Sequence, residues 1–253
     1  MKLGFLGYGN LARALARGVC GQGVLPAENI YICARTEATC AYARSLGHKT
    51  VDSAAQLFEA CDVVVLAIKP KVFREMSIEL SHIDTCGKKV ISVMAAVKLS
   101  ELAEVMRCPV MRVMPTLAAA DGLDIMGYSC QGDFSDIIPS LSKLGDVLCL
   151  GEDMMERLTV AASCGLGFAA HILEAYKKQC EEFGFAPEQA QTITRRMFTY
   201  AAQSEDGFGA LESRVATRGG VTEAGNLAMD EQLRAALDSA FYTAGDKVGI
   251  KKQ

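Results

Sequence analysis

The chain is poor in acid–base equipment. Among its 253 residues there are only three histidines, His48, His82 and His171, which fall in a loop, at a helix end and in an apolar helical stretch. The second half offers no Ser-His-Asp set, no paired carboxylates and no convincing acid–base histidine. No basic run is interleaved with aromatics and the formal net charge is −4, which gives a nucleic-acid partner no support. Ten cysteines are present but scattered, with no CxxC pair and no Cys/His cluster, so no metal site is expected. The first strand pattern begins at Lys2, which leaves no room for a signal peptide. A secreted disulfide framework is therefore not expected either, and the thiols read as reduced and mostly buried. No stretch reaches the ~18 apolar residues of a membrane helix. The nearest, Leu158 to Leu173, is broken by Ser163, Gly165, Gly167 and His171 and reads as a packed interior helix. These absences predict a soluble, cytoplasmic protein with no membrane and no nucleic-acid partner.

Half of the residues are hydrophobic and 22% are charged, enough apolar material for a sizeable core. The first part alternates apolar β-rich runs (2–7, 29–34, 62–68, 88–94 and 109–114) with helical patterns at 11–21, 37–46, 54–60, 72–81 and 100–106. Near-continuous apolar strands alternating with helices predict an α/β fold with a doubly wound, Rossmann-type parallel sheet. Asp52 and Ser100 are the expected caps of the third and last of those helices. Two more strands, around 124–130 and 146–150, flank a helix expected over 134–145 and close this domain. After Gly151 the strand signals stop, and helical patterns run over 152–163, 165–183, 187–204, 223–230 and 231–246. The division expected is a dinucleotide-binding domain at 1–151 and an all-α domain at 152–253.

The segment "LGFLGYGNLARAL" sets Gly7, Gly9 and Ala12 between a strand and a helix. Gly7 permits the tight turn, Gly9 lets backbone approach a pyrophosphate, and small Ala12 lets the helix pack close to the sheet. The phosphates would meet free N–H groups at the positive end of that helix. The second strand ends "CARTEAT", with Ala34, Arg35 and Thr36 where NAD enzymes usually carry an acid for the ribose hydroxyl. A guanidinium and a hydroxyl suit the 2′-phosphate of NADP, so NADPH is the expected cofactor, with NADH possible. Lys69-Pro70 and Met114-Pro115 end two further strands, and ligands of such sheets lie beyond the carboxyl ends. With so little acid–base machinery, a cofactor must carry the reaction while the protein positions the reactants.

Taken together, these motifs resemble the pyrroline-5-carboxylate reductase family. "GYGNLARAL" resembles its opening glycine loop, "AIKPK" its Ala-Val-Lys-Pro-Gln segment, and "ISVMAAV" its Ile-Ser-x-x-Ala-Gly strand. "VMRVMPT" resembles its Val-Arg-x-Met-Pro-Asn strand, and "VATRGGVTEAG" (215–225) its signature Val-x-Ser-Pro-Gly-Gly-x-Thr-x-x-Gly. The resemblance spans nearly the whole chain in order. It implies reduction of the cyclic imine 1-pyrroline-5-carboxylate to L-proline with NAD(P)H, and a homodimer or ring of dimers built by the helical domain. It also implies that Gly219, Gly220, Val221 and Thr222 hold the substrate carboxylate on backbone N–H groups, with the Thr222 hydroxyl acting catalytically at the ring nitrogen. Paired glycines leading into a helix suit an anion on physical grounds as well. The cofactor-binding set expected is Gly7, Tyr8, Gly9, Asn10, Leu11, Ala34, Arg35, Thr36, Ala67, Lys69, Pro70, Ala95, Met114 and Pro115.

The departures from the family pattern gather on the substrate side. Arg218 replaces the proline of the signature, Thr116 the asparagine after Met-Pro, and the following Thr-Pro is absent. "AASCGLGF" (161–168) stands for Ser-Gly-x-Gly-Pro-Ala-Phe, so that the serine becomes Ala162 and the proline Leu166. The residues thus leave open a second reading, a dinucleotide-binding paralogue without catalysis that acts as a regulatory or partner-binding dimer.

Overall fold

In the computed structural model, which describes residues 1–251, the chain divides into two compact units. The first comprises Met1–Ser163 with Lys247–Ile250, and the second contains Cys164–Asp246.

The first unit is an eight-stranded sheet with helices. In chain order it contains β1 (Leu3–Leu6), α1 (Asn10–Gly21), β2 (Ile30–Cys33), α2 (Glu37–Ser45), β3 (Lys49–Val51), α3 (Ala54–Ala60) and β4 (Val63–Leu66). Then follow α4 (Pro70–Glu75), α5 (Ser77–Ser81), β5 (Lys89–Ser92), α6 (Leu99–Met106), β6 (Val110–Met114), β7 (Asp124–Gln131), α7 (Ile138–Leu141), β8 (Gly145–Cys149) and α8 (Met155–Leu158). The strand order is β3-β2-β1-β4-β5-β6-β7-β8. All neighbours pair in parallel except β6 and β7, so the expected parallel sheet holds through β6 and reverses direction there. Both faces of the central strands are covered. One layer gathers Phe5, Leu15, Ile32, Val65 and Met111, and the other Leu57, Phe58, Val64, Phe73 and Leu102.

Several local expectations are corrected. The cap of α3 is Ser53, one residue beyond the expected Asp52: its hydroxyl accepts the Gln56 N–H, while the Gln56 side chain accepts the N–H of Asp52 just before the cap. Helix α6 starts at Leu99 and is capped from a distance, its first amide donating to the Glu152 carboxylate at 3.2 Å; Ser100 lies inside the helix. The helix expected over 72–81 is two helices divided at Met76, where the Ser77 hydroxyl turns back onto the Arg74 carbonyl. Over 134–145 only the single turn of α7 is α-helical.

The second unit is helical. A π-helical turn, Thr159–Cys164, leads into α9 (Gly165–Glu182), followed by α10 (Pro187–Gln203), α11 (Phe208–Val215) and α12 (Val221–Lys247). Helix α11 was not among those expected, and the two helices expected over 223–246 are one, since nothing between them breaks it. Aromatic pairs Phe168–Phe241 and Tyr176–Phe198 join α9 to α12 and α10, and Asn226 donates to Glu212 between α12 and α11. The interior expected for residues 158–173 is not found within the single chain. The continuous helix Glu152–Glu182 is long and apolar enough to cross a membrane by length and composition, and only 6% of its apolar window is buried. Leu227, Leu233 and Leu237 of α12 are exposed too.

Ala96 sits after β5 with φ +56°, a left-handed conformation that disfavours a Cβ. The family strand it resembles carries glycine at this point. Ala96→Gly is expected to raise stability by about 0.5–1 kcal/mol, read as a higher urea midpoint at unchanged slope.

Candidate cofactor and substrate site

Strands β1, β2, β4, β5 and β6 run parallel, so the loops leaving them gather at one edge of the sheet. Gly7 follows β1 with φ +93°, and a Cβ there would lie 2.6 Å from the Ala67 carbonyl oxygen, so only glycine fits. Its N–H donates to Cys33 O at 2.8 Å, tying the loop to the end of β2. Above Gly9 the space is open: an added Cβ would meet nothing within 4 Å. Helix α1 starts immediately after, and its first turn carries no acidic residue. The free amides and the dipole of that helix therefore face open space, an arrangement that fits a pyrophosphate. Ala12 is 1% exposed against the sheet, as close helix packing requires.

Tyr8 takes a different place from the rest of the expected set. Its ring is turned into the core, edge-on to Phe5 and His48, and its hydroxyl is buried without a partner. Burial pushes the phenol up to about 12, so it stays neutral. Only the backbone of Tyr8 serves the loop, and its carbonyl accepts from Arg13 Nε at 3.2 Å.

At the end of β2, Ala34 packs on the core while Arg35 and Thr36 are exposed. The Thr36 hydroxyl caps α2 by accepting the Thr39 N–H. Glu37, the nearest acid in sequence, is paired with Arg44, and no ion-pair partner is found for Arg35 among the described residues. The result is an unpaired guanidinium beside a helix start, the charge pattern a 2′-phosphate requires. Beyond β4, Lys69 is exposed and Pro70 opens α4. Beyond β5 comes Ala95, and buried Met114 ends β6 with buried Pro115 directly after it. The fourteen positions expected at the cofactor thus lie on strand ends, on the loops after them, or in the first turns of α1 and α4.

Two residues outside the expected set also reach this edge. The Ser163 hydroxyl donates to Pro115 O at 3.0 Å, and the buried Asp124 carboxylate accepts from Thr116. Asp124 reads in sequence only as the start of a strand, and nothing in the chain near either residue signals the contact.

The loop expected to hold a substrate carboxylate belongs to the second unit and precedes α12. Gly219 has φ +73°. Its N–H donates to Glu223 Oε2 at 2.6 Å, and the Gly220 N–H donates to Thr217 O at 2.8 Å. Two of the four amides expected to face the substrate are therefore engaged within the loop. Val221 and Thr222 open α12, both exposed, and Val221 is 94% exposed. Arg218 is exposed beside them.

Comparisons with known proteins agree with this geometry. Residues 2–96 match the family described as NADP oxidoreductase coenzyme F420-dependent, and residues 152–249 match the family described as pyrroline-5-carboxylate reductase dimerisation. The pyrroline-5-carboxylate reductase of Staphylococcus aureus (strain COL) is 29% identical over 238 residues, covering 89% of this chain and 88% of the relative. The namesake from Staphylococcus saprophyticus is 27% identical, covering 98% of this chain and 96% of the relative. In fold, the chain is similar to Plasmodium falciparum pyrroline carboxylate reductase with NADP bound, at TM-score 0.87 and 19% identity over 98% of this chain and 97% of that one. It is also similar to the Streptococcus pyogenes 1-pyrroline-5-carboxylate reductase, at TM-score 0.86 and 22% identity over 98% of both. A Rossmann sheet with an open glycine loop, in this company, defines an NAD(P)H-dependent oxidoreductase. More narrowly, the chain is similar to pyrroline-5-carboxylate reductases along nearly its whole length.

Loss of the unpaired cation should discriminate between cofactors. Arg35→Ala is expected to weaken NADPH binding about 10–100-fold, the worth of charge-assisted hydrogen bonds, and to leave NADH within about twofold. Titration of cofactor fluorescence checks this, and equal losses for both cofactors would make Arg35 a plain surface residue.

Proposed function

We propose that the protein is an NADPH-preferring reductase of a small cyclic imino acid, converting 1-pyrroline-5-carboxylate to L-proline in proline biosynthesis. The observation that carries this reading is that one chain, similar to those reductases, holds two glycine-led helix starts. The first is open beside an unpaired arginine, and the second exposes a threonine in its first turn.

A nicotinamide cofactor held by the Gly7–Gly9 loop, the start of α1 and Arg35 would supply a hydride to the carbon of the C=N bond. The protein contributes position and one proton-bearing group. Backbone amides of the 219–222 loop hold the substrate carboxylate, with those of Val221 and Thr222 already open and those of Gly219 and Gly220 released from Glu223 and Thr217. The Thr222 hydroxyl donates to the imine nitrogen, so that charge building on nitrogen as the C=N bond is reduced is met by a donor. Exposed Arg218 adds positive potential near the carboxylate, where the family pattern has a neutral proline. In this reading residues 1–151 serve the cofactor, and 152–253 serve substrate binding and dimerisation.

Self-association follows from the same reading. The apolar face of α9 and the leucines of α12 lie uncovered in a single chain, and a second copy is the partner that covers them. The enzyme is accordingly read as a cytoplasmic homodimer. Leu233→Asp combined with Leu237→Asp should turn the dimer into monomers by light scattering, and an unchanged mass would place the contact elsewhere.

The reaction is tested by NADPH oxidation with 1-pyrroline-5-carboxylate. Turnover is expected in the parent chain, and Thr222→Val should lower kcat about 10–100-fold while NADPH affinity stays unchanged. Tight NADPH binding without turnover of any cyclic imine would overturn the assignment in favour of a non-catalytic dinucleotide-binding dimer. An unaltered kcat in the variant would remove Thr222 from the mechanism.

A further inference from the structure

The peptide group that joins Pro115 to Thr116, just past the end of β6, is gripped on both of its polar atoms by side chains. Its carbonyl oxygen accepts the Ser163 hydroxyl at 3.0 Å. Its N–H donates to both carboxylate oxygens of Asp124, at 3.1 and 3.0 Å. The Thr116 hydroxyl adds a third bond to Asp124 at 2.8 Å, while accepting from Ala118 N–H at 3.0 Å. Thr116 and Asp124 are 5% and 3% exposed. A peptide plane held this way cannot rotate about its flanking bonds without breaking charge-assisted or buried hydrogen bonds.

Asp124 has no cation among its described partners, all of which are neutral donors. Burial lifts its carboxyl above the usual range, against the pull of the Thr116 hydroxyl and amide and the Ile125 amide. A carboxylate buried without a counter-ion opposes folding, so its presence calls for something that it fixes in place.

We infer that Ser163 and Asp124 are positioning residues for the nicotinamide half of the site, and that they act by fixing the Pro115–Thr116 peptide plane. This rests on the reading that the β6 edge receives the nicotinamide. It also reinterprets two departures from the family pattern. Thr116, which stands for the asparagine, commits its hydroxyl to Asp124 and the Ala118 N–H. The serine that is missing at 162 stands at 163 and holds the adjoining carbonyl. These departures are parts of one arrangement and not separate losses.

The test compares NADPH with 2′,5′-ADP, which shares the adenosine half but has no nicotinamide. Ser163→Ala and Asp124→Asn should each raise the Kd for NADPH about 3–10-fold by calorimetry, the effect of one lost hydrogen bond. The Kd for 2′,5′-ADP should stay unchanged, and Ser163→Thr should restore NADPH affinity. Equal weakening of both ligands, or an unchanged NADPH Kd, would overturn the inference. If Asp124→Asn does not fold, the Ser163 pair decides alone. No imine enters the measurement, so absence of turnover in the parent chain would leave this result standing, and a negative result here would leave the assigned reaction standing.

Discussion

Arg112 is the buried charge on which the arrangement of β6 depends. It is 0% exposed in the last of the parallel strands, and a lone guanidinium there would be prohibitively desolvated. Glu152 and Glu156 answer it at 2.5 and 2.7 Å, both from the segment that follows β8. The chain must therefore return to β6 after the sheet has reversed direction. The same Glu152 carboxylate caps α6, so one acid serves a strand and a helix. The Arg112 Nε and the second oxygen of Glu152 have no partner, which places this cluster among those that specify one arrangement more than they add stability. Only Arg112 is fully buried, with Glu152 and Glu156 part-exposed, so stripping the guanidinium of its acids is the costly change, typically about 3–5 kcal/mol for a buried charge left unpaired.

From that anchor the chemistry of the cofactor edge follows. Parallel strands bring the glycine loop, the Arg35 turn and the Pro115 turn to one side. Helix α1 is held close beneath its loop by Ala12, and on its opposite half by Gly18, where a Cβ would lie 2.1 Å from the Ala119 carbonyl. The helix start can present amides to an anion because its other contacts leave it no freedom to turn away. Position is what a catalyst with few titrating groups has to offer, and the tight packing of α1 supplies it.

Much of this was legible in the sequence, for identifiable reasons. β1, β4 and β6 are short, largely apolar runs buried on both faces, and β2 and β5 are mainly apolar runs buried along half or more of their length, so composition alone marked them. β3 has three residues, too few to show a pattern. The glycine loop was legible because conformation at Gly7 excludes every other residue. Contacts that bring distant segments together were not: the cap of α6 is a carboxylate from position 152, and the grip on Pro115 comes from 163. The apolar stretch at 158–173 was read as an interior helix, because a sequence does not distinguish apolar surface covered by its own chain from surface left for another copy.

The doubly held peptide at Pro115–Thr116 also constrains how this chain can change over generations. Asparagine introduced alone at 116 would face a buried carboxylate shaped for a hydroxyl. Alanine introduced alone at 163 would strand a carbonyl. Asparagine introduced alone at 124 would leave the Thr116 donors competing for one acceptor. Each single step orphans a buried polar group, while a combined step need not, so the effects of these substitutions are not additive. Residues 116, 124 and 163 are therefore coupled through one peptide group, and a substitution at any of them is felt at the other two.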